Sequence, residues 1–296
     1  MQATASRAID RTVKIVLSIC VTFTIFISLI VIFILGRESI DFFQRVSLFD
    51  FIFGLRWEPL LEPKSFGVLP LVLGTLMIVL GSVLLALPAG VIIATYLNEF
   101  ASNRVRAIVK PILEILAGIP TVVYGFFALT FITPGLKLII PSIEVFNALS
   151  AAIVVGIMIL PMVASIVDDG FRSLPTSLRE GAYGLGATPF EVITQIVIPA
   201  SASRIGAAVV LAVSRAIGET MAVSLAAGAT PKITLNPLES IQTMTGYIVQ
   251  VSLGDTPQGG VEYLTCFSVG ALLFVMTFVM NMIGNYYISK VKWDLG

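Results

Sequence analysis

The chain has 296 residues, 57% of them apolar and only 12% charged, with a mean hydropathy of +0.99. An ordinary soluble domain carries about 25% charge, so most of this surface does not face water. Lys and Arg (18) balance Asp and Glu (18), which leaves no basic field for nucleic acid, and the lack of histidine removes imidazole acid–base chemistry and most catalytic zinc sites.

In chain order, Ile15–Leu35, Ser65–Asn98, Ile115–Leu136, Val145–Val167 and Tyr263–Ser289 contain no Asp, Glu, Lys or Arg. A helix needs roughly 20 such residues to cross a bilayer. Ile205–Gly228 has the length of a sixth span but is interrupted by Arg215 and Glu219. The predicted fold class is all-α and integral to the membrane, with six transmembrane helices. The first run is longer than the roughly 7–15 apolar residues of a signal core, and Gly36-Arg37-Glu38 is a poor cleavage context, so a retained helix is expected. Residues 1–64 read as an N-terminal helix with an outer interfacial segment, and 65–296 as the main transmembrane domain. Cys20 and Cys266 lie inside apolar runs, where neither a disulfide framework nor a metal site is expected.

Between the first two spans, Phe42, Phe43, Phe49, Phe51, Phe53 and Trp57 lie among charges. Such stretches settle at the lipid–water interface; a docking surface for an external partner is the alternative. Pro88, Gly118-Ile119-Pro120 and Pro161 interrupt three spans. Proline removes a backbone donor and bends a helix, which a bilayer tolerates only where neighbours or water satisfy the freed carbonyls. Pro88, Pro120 and Pro161 are therefore expected hinges, in a bundle around a pathway or in ordinary helix packing.

Orientation follows from the basic residues. With the N-terminus inside, the cytoplasmic side holds Arg7, Arg11, Lys14, Arg104, Arg106, Lys110, Arg172, Arg179, Arg204, Lys290 and Lys292. The outer side holds Arg37, Arg45, Arg56, Lys64, Lys137 and Lys232. This asymmetry predicts both termini in the cytoplasm.

The segment 168–204 is then cytoplasmic. Ser177-Leu178-Arg179-Glu180 and Thr188-Pro189-Phe190-Glu191 both have the pattern of a capping box, with Gly184 and Gly186 between them as helix stops. Phe190, Ile193 and Ile196/Val197 recur at helical spacing, an apolar stripe suited to a partner's groove or to the membrane surface. The pattern Glu180-Gly181-Ala182, Gly186, Ile196, Ile198-Pro199 resembles the EAA loop of ABC-importer permeases. Gly181 replaces that family's first alanine and Ile198 its usual leucine. The resemblance implies the type I importer permease fold and a coupling hairpin, carried by those residues, that docks in a cleft of an ATPase. The chain itself has no G-x-x-x-x-G-K-S/T phosphate loop. It is therefore expected to be a transport subunit and not an enzyme, binding no cofactor or metal, with ATP and Mg used by a partner chain.

Arg215 lies ten residues after Ile205, about 15 Å along a helix. An arginine at that depth costs at least about 2.5–3.5 kcal/mol, and such residues are functional candidates by default. Glu219 follows four residues on, on the same face of a continuous helix, beside the small-residue ladder Ser214, Gly218, Ala222 and Ala226. Two readings stand. The pair neutralises itself and locks the bundle, or it lines an anion pathway in which the guanidinium fork of Arg215 matches an oxyanion.

Ser214 to Val223, containing R-A-I-G-E-T, and Leu116 to Gly125, containing I-P-T-V-V-Y-G, are similar to stretches of phosphate-importer permeases. Trp57-Glu58-Pro59, Phe66-Gly67, Pro70 and Gly74-Thr75-Leu76 add matches, and Ile241-Gln242-Thr243-Met244-Thr245 favours the PstC type over its PstA sibling. The resemblance implies phosphate import through Arg215 and Glu219, with Ser214 and Thr220 beside them. It also implies a PstA-like permease, a PstB-like ATPase dimer and a PstS-like phosphate-binding protein as partners in a plasma membrane. A permease for sulfate or molybdate is the nearest competitor; an intramembrane enzyme or a non-transporting scaffold belongs to another class.

Overall fold

The apolar runs form helices in a computed structural model that describes residues 2–290 apart from 255 and 258, with side chains from Thr12 onward. Of the basic residues used for orientation, Lys292 and the side chains of Arg7 and Arg11 lie outside this range. Among the described residues five helices are long and apolar enough to cross a membrane: Thr12–Phe43, Leu69–Phe100, Thr121–Ile139, Ala148–Arg172 and Val261–Lys290. Counted as one span, Pro189–Ala200 and Ala202–Ile217, bent by 66° between them, would make a sixth.

Helix α1 (Gln2–Phe43) stands off the bundle along most of its length and meets α14 (Val261–Lys290) near its end, where the Ser39 hydroxyl reaches the Phe267 carbonyl at 3.1 Å. After it come α2 (Leu48–Phe53) and two short antiparallel strands, β1 (Trp57–Glu58) and β2 (Ser65–Phe66), a small addition to an otherwise helical chain. The aromatics expected at the lipid interface divide here. Phe49 and Phe53 are exposed, but Phe42, Phe51 and Trp57 are fully buried. They pack edge to face, Trp57 against Tyr247 at 4.9 Å, and so join the outer segment to α13 (Met244–Leu253) and α14. Burial of ring area outweighs an interfacial position once a second apolar surface is within reach. Lys64 bridges to Glu262 at 2.6 Å and fastens the strands to the start of α14.

The main core lies between α3 (Leu69–Thr95, continued by a π-helical turn over Tyr96–Phe100) and α7 (Ala148–Arg172), which bury Ile78, Val79 and Ala86 against Val155, Ile159 and Val163. Pro88 and Pro161 both lie inside these continuous helices. Pro120 does not bend a helix; it separates two. The amphipathic α4 (Asn103–Gly118) ends before Ile119 and Pro120, both extended, and α5 (Thr121–Phe127) opens the third span. That span, predicted over Ile115–Leu136, thus runs from Thr121 through a π-helical turn into α6 (Thr133–Ile139), because the missing N–H of proline suits a helix start.

Candidate functional site

Residues 173–201 fold as the predicted hairpin. Helix α8 (Thr176–Gly184) is followed by a turn at Gly186, whose φ of +87° is adopted by glycine without strain. The second arm is α9 (Pro189–Val192), a π-helical turn over Ile193–Val197 and α10 (Ile198–Ala200). The box at Thr188 forms: Glu191 N–H donates to the Thr188 hydroxyl at 3.4 Å and Thr188 N–H to the Glu191 carboxylate at 2.7 Å. The box at Ser177 does not. Pro175, extended at φ −57° and ψ 135°, starts α8 two residues earlier, so Ser177 lies inside the first turn and caps nothing.

The apolar stripe also divides. Ile193 and Val197 are buried with Val192 against the bundle, Ile196 is half-buried, and Phe190 is left 73% exposed with Leu185 at 91%. The chain's own core takes most of the stripe, leaving the loop end apolar and open. Glu180 and Gly181 are exposed, Ala182 is buried, and Ile198 and Pro199 are half-buried. Glu180 has no hydrogen bond or ion pair among the described residues.

A polar network at the root of this hairpin was not anticipated. Arg179 places Nε 3.0 Å from Glu99 Oε1, and its Nη2 donates to Asn98 Oδ1 at 3.2 Å and to the Phe171 carbonyl at 2.8 Å. Asn98 Nδ2 donates in turn to Asp168 at 3.3 Å, and that buried carboxylate is bridged by Lys110 at 3.0 Å and Arg172 at 3.1 Å. The parts are up to 81 residues apart in sequence. Only the charge of Glu99 just past the second apolar run could have hinted at them.

The second arm leads through the 66° bend into α11 (Ala202–Ile217), which buries Ala208, Ala212 and Ala216. Beside that small face Arg204, Leu211 and Arg215 form an exposed stripe. The helix then stops. Gly218 closes α11, and Glu219 and Thr220 lead into the short α12 (Met221–Ala226). The break corrects the expectation that Arg215 and Glu219 pair on one face. Glu219 is 8% exposed and accepts the Ala222 N–H at 3.2 Å, restarting the helix, whereas Arg215 is exposed with no ion pair or hydrogen bond among the described residues. Glycine's poor helix propensity supplies the weak point, and the side-chain acceptor competes with the helical ladder.

Irregular backbone at membrane depth requires internal partners, and it has them. Thr220 Oγ1 donates to the Gly218 carbonyl at 3.1 Å, and Thr245 Oγ1 to that of Glu219 at 2.8 Å. Ser214 is turned away from this loop, its hydroxyl 2.8 Å from the Val210 carbonyl and 3.0 Å from Asn281 Oδ1 on α14. Thr245 lies in the first turn of α13, just after the irregular stretch Ile241–Thr243, and this corner lies against α3: Met244 N–H donates to Thr75 Oγ1 at 3.1 Å, and the Gln242 carbonyl oxygen would stand 2.4 Å from a Cβ on Gly74. Two stretches that carried the resemblance thus support the break from behind.

A sequence profile described as "Binding-protein-dependent transport system inner membrane component" matches residues 86–293. Among curated relatives, the probable ABC transporter permease protein YqgH of Bacillus subtilis is 35% identical, with 94% of this chain and 91% of that one aligned. The phosphate transport system permease protein PstC of Mesorhizobium japonicum is 31% identical over 91% of this chain and 89% of that one. Among solved structures, a chain of the bacterial alginate ABC transporter in complex with its alginate-loaded periplasmic protein superposes with a TM-score of 0.66 at 18% identity. It covers 92% of this chain and 93% of that chain.

Proposed function

This chain belongs to the family of binding-protein-dependent transport system inner membrane components, and on that premise we propose that it is a PstC-like permease subunit importing inorganic phosphate. The observation that carries the reading is Arg215, a guanidinium exposed in the last turn of a membrane helix and held by no carboxylate of its own described chain. Its planar fork matches two oxygens of a tetrahedral oxyanion. With Glu219 turned to the Ala222 N–H, that fork is free for a ligand.

In this reading a PstS-like protein delivers phosphate at the outer face, and a PstA-like permease completes the pathway. A PstB-like ATPase dimer consumes ATP and Mg and moves the hairpin from the cytoplasm. Glu180 and the open apolar end at Leu185 and Phe190 present the chemistry for that docking, an unpaired carboxylate and two large exposed apolar groups. Alternating access then exposes Arg215 to each side of the plasma membrane in turn, with both termini cytoplasmic. The relatives named for phosphate transport support the substrate assignment.

The test is phosphate uptake in proteoliposomes containing the assembled importer. Arg215→Ala should abolish uptake while the complex still assembles, and Arg215→Lys, a point charge in place of a fork, should recover only part of it. Arsenate should compete and sulfate and molybdate should not. Normal uptake by Arg215→Ala refutes the pathway role, and competition by sulfate or molybdate transfers the reading to another oxyanion.

A further inference from the structure

Helix α8 buries one side chain, Ala182. Cβ atoms added at Gly181 and Gly184 would meet nothing within 4 Å. A helix held by so little apolar area is fixed by polar ties, and Arg179 makes three to other elements: Glu99 and Asn98 at the end of α3 and the Phe171 carbonyl near the end of α7. The Arg179 and Glu99 side chains are 17% and 11% exposed, so water screens the pair far less than it would a surface pair. Asn98 extends the connection. Its amide oxygen accepts from Arg179 while its amide nitrogen donates to Asp168, which Lys110 of α4 bridges from the other side. Arg179 also precedes Glu180, the exposed residue of the docking face.

We propose that Arg179 is a positioning residue for energy coupling: clamped to Glu99 and Asn98, it transmits movement of the hairpin to α3, α7 and α4 at once. This rests on the importer reading above. A guanidinium suits the task because its rigid fork holds three acceptors in a fixed relative geometry, whereas an ammonium on a flexible stem does not. The clamp ties the hairpin to the helices that form the core while leaving Glu180 and Phe190 free for the ATPase.

The experiment uses the complete importer in proteoliposomes, with ATP hydrolysis and phosphate uptake measured on the same sample. Arg179→Ala should leave the ATPase bound and hydrolysing at near its normal rate while uptake per ATP falls at least tenfold, with the KM for phosphate unchanged. Arg179→Lys should fall between the two. Glu99→Ala removes the acceptor at the other end of the clamp and should lower uptake per ATP in the same way, and it decides the matter if Arg179→Ala fails to assemble. Hydrolysis and uptake falling in parallel, or normal uptake per ATP in Glu99→Ala, overturns the coupling role. Failure of the importer reading has a separate signature, a wild-type complex whose hydrolysis drives no phosphate uptake.

Discussion

Substituting Gly74 by alanine tests the packing behind the helix break. The added Cβ would lie 2.4 Å from the Gln242 carbonyl oxygen and 3.5 Å from Ile241 Cδ1. Ordinary contact begins near 3.4 Å, so the Ile241–Thr243 backbone must retreat by about 1 Å, and no flexible side-chain end can absorb the strain. Overpacking of this kind costs about 1–3 kcal/mol. At roughly 2–4 °C for each kcal/mol in a large domain, Tm should fall by about 2–12 °C. The retreat pulls on Met244, whose N–H is held by Thr75, and on Thr245, whose hydroxyl holds the Glu219 carbonyl, so uptake should fall more than stability alone predicts. The assay is thermal unfolding in detergent alongside uptake, with Gly118→Ala as control because nothing lies within 4 Å of a Cβ there. A Gly74→Ala protein with unchanged Tm and unchanged uptake would refute the reasoning.

Thr75→Val removes the acceptor for the buried Met244 N–H and should cost about 1–3 kcal/mol, read as a lower Tm. Thr188→Ala should destabilise the hairpin by about 1 kcal/mol whereas Ser177→Ala should be neutral, since only the first residue caps a helix; protease sensitivity of the hairpin distinguishes them. Gly181→Ala should be tolerated and strengthen α8 by up to about 1 kcal/mol, because a Cβ there meets nothing and alanine is the better helix former. It should keep uptake intact. Glu180→Lys reverses the charge of an unpaired carboxylate on the docking face and should prevent co-purification of the ATPase; retention at the normal ratio would displace the docking assignment.

Signals confined to one turn of chain were legible in the sequence, and signals that depend on what lies opposite were not. The Thr188 box and the Gly186 turn need only neighbours within four residues, and both form. Ser177 has the same pattern and fails because Pro175 fixes the backbone first. Pairing Arg215 with Glu219 assumed an unbroken helix, an assumption that Gly218 and the Thr245 hydroxyl, 26 residues beyond Glu219, defeat together. The buried fate of Phe42 and Trp57 depends on Tyr247, and the clamp on Arg179 joins positions 80 residues apart. Periodicity carries no information about such partners. The resemblance marked Gly74 and Ile241–Thr245 as separate matches, and only the fold shows that one packs on the other.

The break after Ile217 has an electrostatic consequence. Arg215 stands in the final turn of α11, the end at which a helix macrodipole places roughly half a negative charge. The counter-charge that tempers the guanidinium is therefore peptide backbone and not the Glu219 side chain. A half-compensated cation attracts an anion without gripping it, which suits the release step of the proposed pathway. Peptide dipoles do not titrate, so this balance stays constant where a carboxylate partner would lose its charge in acid.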